Sequence, residues 1–279
     1  MKRTRSKFFG VLLALAMVVS VGVSDSRAYT IGFDEDGAGV GVMKDITLIN
    51  YYTDTGLALD FNPFAPTPFN IEFLLQGRVS SFQNSGLPVI FPGIALNTNE
   101  ITFTARFIER VVDVQTVGGT TTAIFQSGNL GSEFKMYADS TPDANPNNVS
   151  GYNDGVEILS ATMVSQTSSF SSTVPGALGT GSFNVVLSVD SYDNTYWDIP
   201  FDLFLFQLVT TGTLNQPSTF TPAVMWNGTS IAAAAAAGRN PQYLKFDGST
   251  DFNVVPEPST ILLLGLGLVS VGVLARRRK

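Results

Sequence analysis

The sequence contains no cysteine and no histidine. The first absence excludes a disulfide framework, a thiolate nucleophile and any Cys-ligated zinc or iron–sulfur centre. The second removes a Ser-His-Asp triad, an imidazole base and the usual haem ligand. The side chains left for catalysis are carboxylates, Lys, Tyr, Ser and Thr. A chain without cross-links must rely on its core, which fits an oxidising compartment. Positive charge is also scarce in the body. Of 16 Lys+Arg, five precede Tyr29 and four are Arg276, Arg277, Arg278 and Lys279, leaving seven. Of 23 Asp+Glu, only Asp25 and Glu257 fall outside the stretch from Tyr29 to Val255, leaving 21 and a body near −14 (7 minus 21). Phosphate recognition needs clustered Lys/Arg, so nucleic acid is excluded as a partner, whereas cations and neutral glycans fit.

The missing positive charge sits at the two ends. Lys2, Arg3, Arg5 and Lys7 precede an apolar run from Phe8 to Val23, followed by Ser26-Arg27-Ala28. A basic start, a hydrophobic stretch and small residues at the cut site form a secretory signal over residues 1–28. Signal peptidase is expected to cleave after Ala28. The other end reads Val255-Pro256-Glu257-Pro258-Ser259, then an apolar run over residues 260–275, then the basic tail over 276–279. The prolines bar a helix from running back through them, so a helix is expected to start near Ser259. Its 17 residues would reach roughly 25 Å, enough for a thin bilayer core. The basic tail favours the cytoplasmic side and leaves the acidic body outside.

Pro256-Glu257-Pro258, one short apolar helix and an Arg-rich extreme C-terminus together resemble the PEP-CTERM sorting signal of exopolysaccharide-producing bacteria. The resemblance implies an exosortase as processing partner, with cleavage near the motif. It also implies a membrane anchor that lasts until processing, then a place at the cell surface or in the extracellular matrix.

Between the ends, residues 29–254 alternate with period two and are rich in β-branched and aromatic residues. Ile101, Phe103, Ala105 and Phe107 alternate with Thr102, Thr104, Arg106 and Ile108, and Ile71, Phe73 and Leu75 behave alike. Strands are expected over 44–52, 70–82, 100–114, 121–126, 133–137, 156–169, 182–188 and 200–211. Gly, Pro, Asn and Asp clusters break them. The expected fold is all-β, a single antiparallel domain resembling a β-sandwich, flanked by the signal helix and the C-terminal transmembrane helix. The alanine run 232–237, closed by Gly238, reads as a short helix with a glycine stop. Phe33-Asp34-Glu35-Asp36-Gly37, Glu100-Ile101-Thr102-Phe103, Phe134–Asp139 and Gly151–Leu159, in that order, resemble the flocculation-associated PEP-CTERM proteins of the PepA type. That resemblance implies a role in floc or biofilm aggregation together with exopolysaccharide or sister matrix proteins. It carries no catalytic residues.

Two constellations offer binding chemistry. Calcium takes six to eight oxygen ligands from flexible loops, and Asp34, Asp36, Asp139 and Asp143 lie in such acidic stretches. The first stretch does not complete an EF-hand, because the fifth loop position is Ala38. Aromatic faces suit the apolar faces of sugars, and Tyr192, Asp193, Tyr196 and Trp197 combine aromatics with a hydrogen-bonding carboxylate. The chain is read as a non-enzyme with no cofactor other than calcium. The alternatives kept open are a glycan-binding module with one defined site and a hydrolase acting through paired carboxylates.

Overall fold

A computed structural model describes residues 30–254, apart from 39–42, 63, 129–130, 174–178, 200–205, 216–217 and 219. The signal segment with Ala28, the sorting motif with Pro256, Glu257 and Pro258, the apolar run and the basic tail lie outside the described residues. Among the described residues no helix is long and apolar enough to cross a membrane.

Fourteen strands and two short helices are described. In chain order they are β1 (Ile31–Phe33), β2 (Lys44–Ile46), β3 (Leu48–Tyr51), β4 (Asp54–Leu59), β5 (Phe69–Asn84), β6 (Leu87–Val89), α1 (Pro92–Ala95), β7 (Glu100–Val117), β8 (Thr120–Ser127), β9 (Glu133–Asp139), β10 (Val156–Ser172), β11 (Thr180–Tyr192), β12 (Trp197–Asp198), β13 (Phe206–Asn215), α2 (Ile231–Ala236) and β14 (Gln242–Val254). The domain is antiparallel β, as expected. Two sheets stacked face to face would leave free edges, but here the pairing runs in a circuit. β5 pairs with β7, β7 with both β8 and β9, and these with β10. β10 then pairs with β11, β11 with β13, β13 with β14, and β14 with β3 and β4, which return to β5. β3 and β4 form one broken stave, and so do β8 and β9. The described strands thus make an eight-stave up-and-down barrel whose first and last staves are zipped together, which removes the exposed edges that invite aggregation.

Turn chemistry sets the hairpins. Gly118 and Gly119 join β7 to β8, both at positive φ (58° and 83°), and Ser85 and Gly86 join β5 to β6 in the same way (51° and 81°). Two consecutive left-handed residues match the twist of the flanking strands. Alternation then sorts side chains. Phe73, Leu75, Phe103, Phe107, Phe125, Phe134, Phe183, Leu208, Phe246 and Phe252 fill one core, with Phe103 and Phe134 stacked at 5.5 Å and Phe183 and Phe246 at 5.6 Å. Each such side chain contributes about 1.5–3 kcal/mol on burial. The ring of Phe103 fits because its cross-strand partner is Gly77, where a Cβ would lie 2.4 Å from the ring.

One end of the barrel is closed by the small sheet β12–β1–β2. Phe33 there packs on Phe82 (4.9 Å), Phe91 (5.3 Å) and Trp197 (4.5 Å). On the side of β4 and β5, α2 covers a second apolar cluster of Leu57, Leu59, Leu74, Met225 and Ala234. Ser230 caps α2 by accepting from Ala233 N, and Gly238 (φ 81°) ends it, as the alanine run predicts.

Candidate functional site

Three carboxylates converge where β9 ends. Asp139 closes β9, Asp143 lies in the loop that follows, and Asp154 lies shortly before β10. One oxygen from each falls within 4.8 Å of the others. Local geometry fixes them. Asp139 Oδ1 accepts from Thr141 N (2.8 Å), which turns the chain out of the strand. Glu100 pairs with Asp139 across the ladder and accepts from Asp143 N (3.2 Å) and Ala144 N (3.0 Å). Gly151 sits at φ +76°, and a Cβ there would meet Asp143 Oδ1 at 2.1 Å. Only glycine lets the loop pass so close to the carboxylate.

The same loop is fastened to the barrel by Tyr152. Its ring is fully buried, its hydroxyl donates to Asp54 Oδ2 (2.5 Å), and its carbonyl accepts from Thr102 Oγ1 (2.9 Å). Asp54 is also buried, accepts from Thr55 N (2.8 Å) and has Arg78 Nε at 3.8 Å. Burial pushes its carboxyl up to about 6, against the opposing pull of those donors and of Arg78. Burial also raises Glu100, and the charge of Asp143 adds to the rise, while the two backbone donors and Arg78 work against it. Glu100 thus places a further acidic group beside Asp143.

Converging hard oxygens in a loop suit calcium, with water and backbone oxygens able to complete six to eight ligands. Asp139 and Asp143, expected from sequence, are thus brought together, and Asp154 joins them. In the sequence Asp154-Gly155 has the form of a turn, which hides Asp154 as a ligand. Asp34 and Asp36 do not join this group. They follow β1 beside Tyr196, where Asp36 Oδ1 accepts from Ala38 N (2.9 Å). The asparagines of the loop turn inward on their own backbone. Asn145 Oδ1 accepts from Asn147 N (2.9 Å), and Asn148 Oδ1 accepts from Ser150 N (3.2 Å) and Oγ (2.9 Å).

Three residues beyond Asp154, Glu157 enters the wall of an open cleft of about 580 Å³, lined also by Leu159, Ser191, Tyr192, Asp193 and Asn194. The expected sugar-stacking residues divide here. Tyr192 is half-buried and lines the cleft. Asp193 lines it too, while its Oδ1 accepts from Thr195 N (2.9 Å) and Oγ1 (2.7 Å) to close the turn. Trp197 is 1% exposed, pressed between Phe33 and Phe252, so it is a core residue with no free face for a sugar. Tyr196 is half-buried against the core, with its ring where a Cβ on Gly37 would lie (2.4 Å). Trp197 corrects the sequence expectation, because the chain after Asp193 turns back to form β12 and closes the barrel end.

Residues 254–279 match the family model of the PEP-CTERM protein-sorting motif. The chain carries a PEP-CTERM sorting motif. A motif of this kind points to export and to exosortase processing at the cell surface. Comparison with curated proteins and comparison with solved structures each returned no match. The matched segment covers none of the carboxylate cluster, the cleft or the barrel interior.

Proposed function

We propose that the protein is an exported, non-catalytic component of an extracellular polymer matrix. A C-terminal transmembrane helix holds it at the membrane until an exosortase trims it near Pro256-Glu257-Pro258. The barrel then acts in flocculation or biofilm aggregation by binding exopolysaccharide, with calcium at Asp139, Asp143 and Asp154 bridging to the polymer. The observation that carries this reading is the placement of the carboxylate group three residues from a polar open cleft. Three residues of strand span about 10 Å, so a polymer lying along Tyr192 and Asn194 would reach the cation held by the three aspartates with a neighbouring sugar unit. The resemblance of the body to flocculation-associated proteins supports the same role, and many weak sites on many barrels would add up by avidity.

The test is binding of the chain to purified native exopolysaccharide, with calcium and with chelator. Binding that is at least tenfold stronger with calcium, and that Asp143→Asn removes, is the expected result. Binding unaffected by calcium and by Asp143→Asn would refute the bridging mechanism. Normal cell sedimentation after deletion of the region coding for residues 29–254 would refute the aggregation role.

A further inference from the structure

Eight large apolar side chains among the described residues are well exposed, and three of them lie within ten positions on one connection. Leu87 (71%) follows the Ser85-Gly86 turn, Ile90 (65%) follows β6, and Leu96 (74%) caps α1. Nothing in the turn chemistry requires leucine or isoleucine there. Exposed apolar residues close together on one connection mark a place that meets something other than water.

The ladder shows where this connection lies relative to the C-terminus. Asp251 on β14 pairs with Leu48 on β3, Leu48 with Gln83 on β5, and Gln83 with Pro88 on β6. One hydrogen-bonded row therefore crosses from the last strand to β6, roughly 14 Å at about 4.8 Å per strand. Leu87 pairs with Asn84, one step nearer the barrel end than Pro88, and β14 likewise runs on past Asp251 to Val254. The chain thus leaves the barrel at the level of Leu87, the residue from which the apolar connection starts. Only residues 255–259 separate that exit from the apolar run 260–275. Five residues span at most roughly 17 Å.

We propose that Leu87, Ile90 and Leu96 form a face that seats the barrel on the lipid surface while the C-terminal run is still in the membrane. The inference rests on the anchoring reading given under Proposed function. A short tether leaves this end of the barrel, and no other, within reach of the bilayer. Lys44 fits the interface: its Nζ donates to Ile90 O and stands 4.9 Å from the ring centroid of Phe91, so a cation lies beneath the apolar tips. Asp45 and Asp198 on the neighbouring small sheet are exposed and acidic, so the attraction is apolar rather than electrostatic. Seating would set the height and orientation in which residues 255–259 are offered to a membrane-embedded protease.

The absence of cysteine makes the test clean, because one introduced cysteine is unique in the chain. Full-length Leu87→Cys, Ile90→Cys, Leu96→Cys, Val117→Cys and Leu266→Cys, each carrying an environment-sensitive fluorophore, are placed in zwitterionic vesicles containing brominated acyl chains. Val117 is 76% exposed beside the β7–β8 turn, at the opposite end of the barrel. Quenching of at least twofold at 87, 90, 96 and 266 but not at 117 is the expected result. Quenching at 266 alone overturns the seating face and leaves the anchor standing. Quenching at none of the five overturns both. A blue shift at 87 or 90 that grows with protein concentration and is indifferent to bromine assigns the face to a second copy of the chain and also overturns the proposal.

Discussion

Inside the barrel Ser168 Oγ donates to Glu109 Oε2 at 2.8 Å, on the inward face of β7 that otherwise carries Phe103, Ala105, Phe107 and Val111. Gln166 Nε2 donates to the other carboxyl oxygen. Phe61, Phe73, Phe125, Phe170 and Leu244 surround a cavity beside Glu109 with room for about one water (≈ 10 Å³). Burial pushes this carboxyl from its ordinary 4.5 up to about 8. The folded state therefore holds a proton that the unfolded chain gives up near pH 4.5. Stability should fall as pH rises from about 4.5 to about 8 and level off above that. Asp54, raised to about 6, adds a fall of the same sign below pH 6. Glu109→Gln should remove the slope between pH 6 and 8 and keep the part due to Asp54. Urea midpoints measured across pH 4–9 decide this. A wild type whose stability is flat from pH 6 to 8 would show that Glu109 is not held neutral.

Tyr152 fastens the acidic loop to the barrel through Asp54. Tyr152→Phe leaves a buried carboxyl short of a donor, a cost of about 1–3 kcal/mol. Because the loop carries Asp143, the variant should also bind calcium less tightly. Denaturant unfolding and calcium titration on the same sample check both. A stability loss without any change in affinity would separate the loop anchor from the cation site.

If Asp139, Asp143 and Asp154 hold calcium, the ion must stabilise the fold by mass action. At a hundred times Kd the gain is about 2.7 kcal/mol, visible as a raised Tm. Gly151→Ala, which would put a methyl on Asp143 Oδ1, should abolish the rise, as should Asp154→Asn. An equal calcium-dependent rise in both variants would place the ion elsewhere.

Trp197 offers the opposite test. As a core residue between Phe33 and Phe252, Trp197→Ala should cost about 3–5 kcal/mol in denaturant unfolding. The surviving folded fraction should bind polysaccharide as the wild type does. Full stability with lost sugar binding would restore the stacking role that its burial argues against.

Gly77 tests the packing of the interior. Gly77→Ala places a Cβ 2.4 Å from the Phe103 ring, and overpacking of this kind costs about 1–3 kcal/mol. Pairing it with Phe103→Leu should recover part of the loss, measured as a double-mutant cycle.

Most of the barrel was legible because the apolar residues of β5, β7 and β11 recur with period two and glycine or asparagine turns follow these strands. β14 was not. Its inward row is Leu244, Phe246, Gly248, Thr250 and Phe252, and two of those five are not apolar. Thr250 belongs inside because it is within hydrogen-bond distance of the hydroxyls of Tyr51 (2.7 Å) and Thr210 (2.8 Å), partners 199 and 40 residues away in the chain. A period-two pattern read along one strand contains no sign of them. Closure of the sheet depends on β14, so missing that strand suggested two sheets with edges. The acidic site was half legible for a similar reason. Asp139 and Asp143 stand close in sequence, but only the approach of Gly151 and Gly155 brings Asp154 alongside them.

The strand that seals the barrel is also the last one before the sorting motif. Asp251 meets Leu48 across 203 residues (251 minus 48), and that loop can close only when both partners are present. A secreted chain emerges N-terminus first, so every shorter length of it carries two raw edges. The fold is therefore completed only with β14, the strand that adjoins the sorting motif. A chain cut short of β14 would lack both the seam and the motif, so an intact motif marks a chain long enough to have closed its barrel.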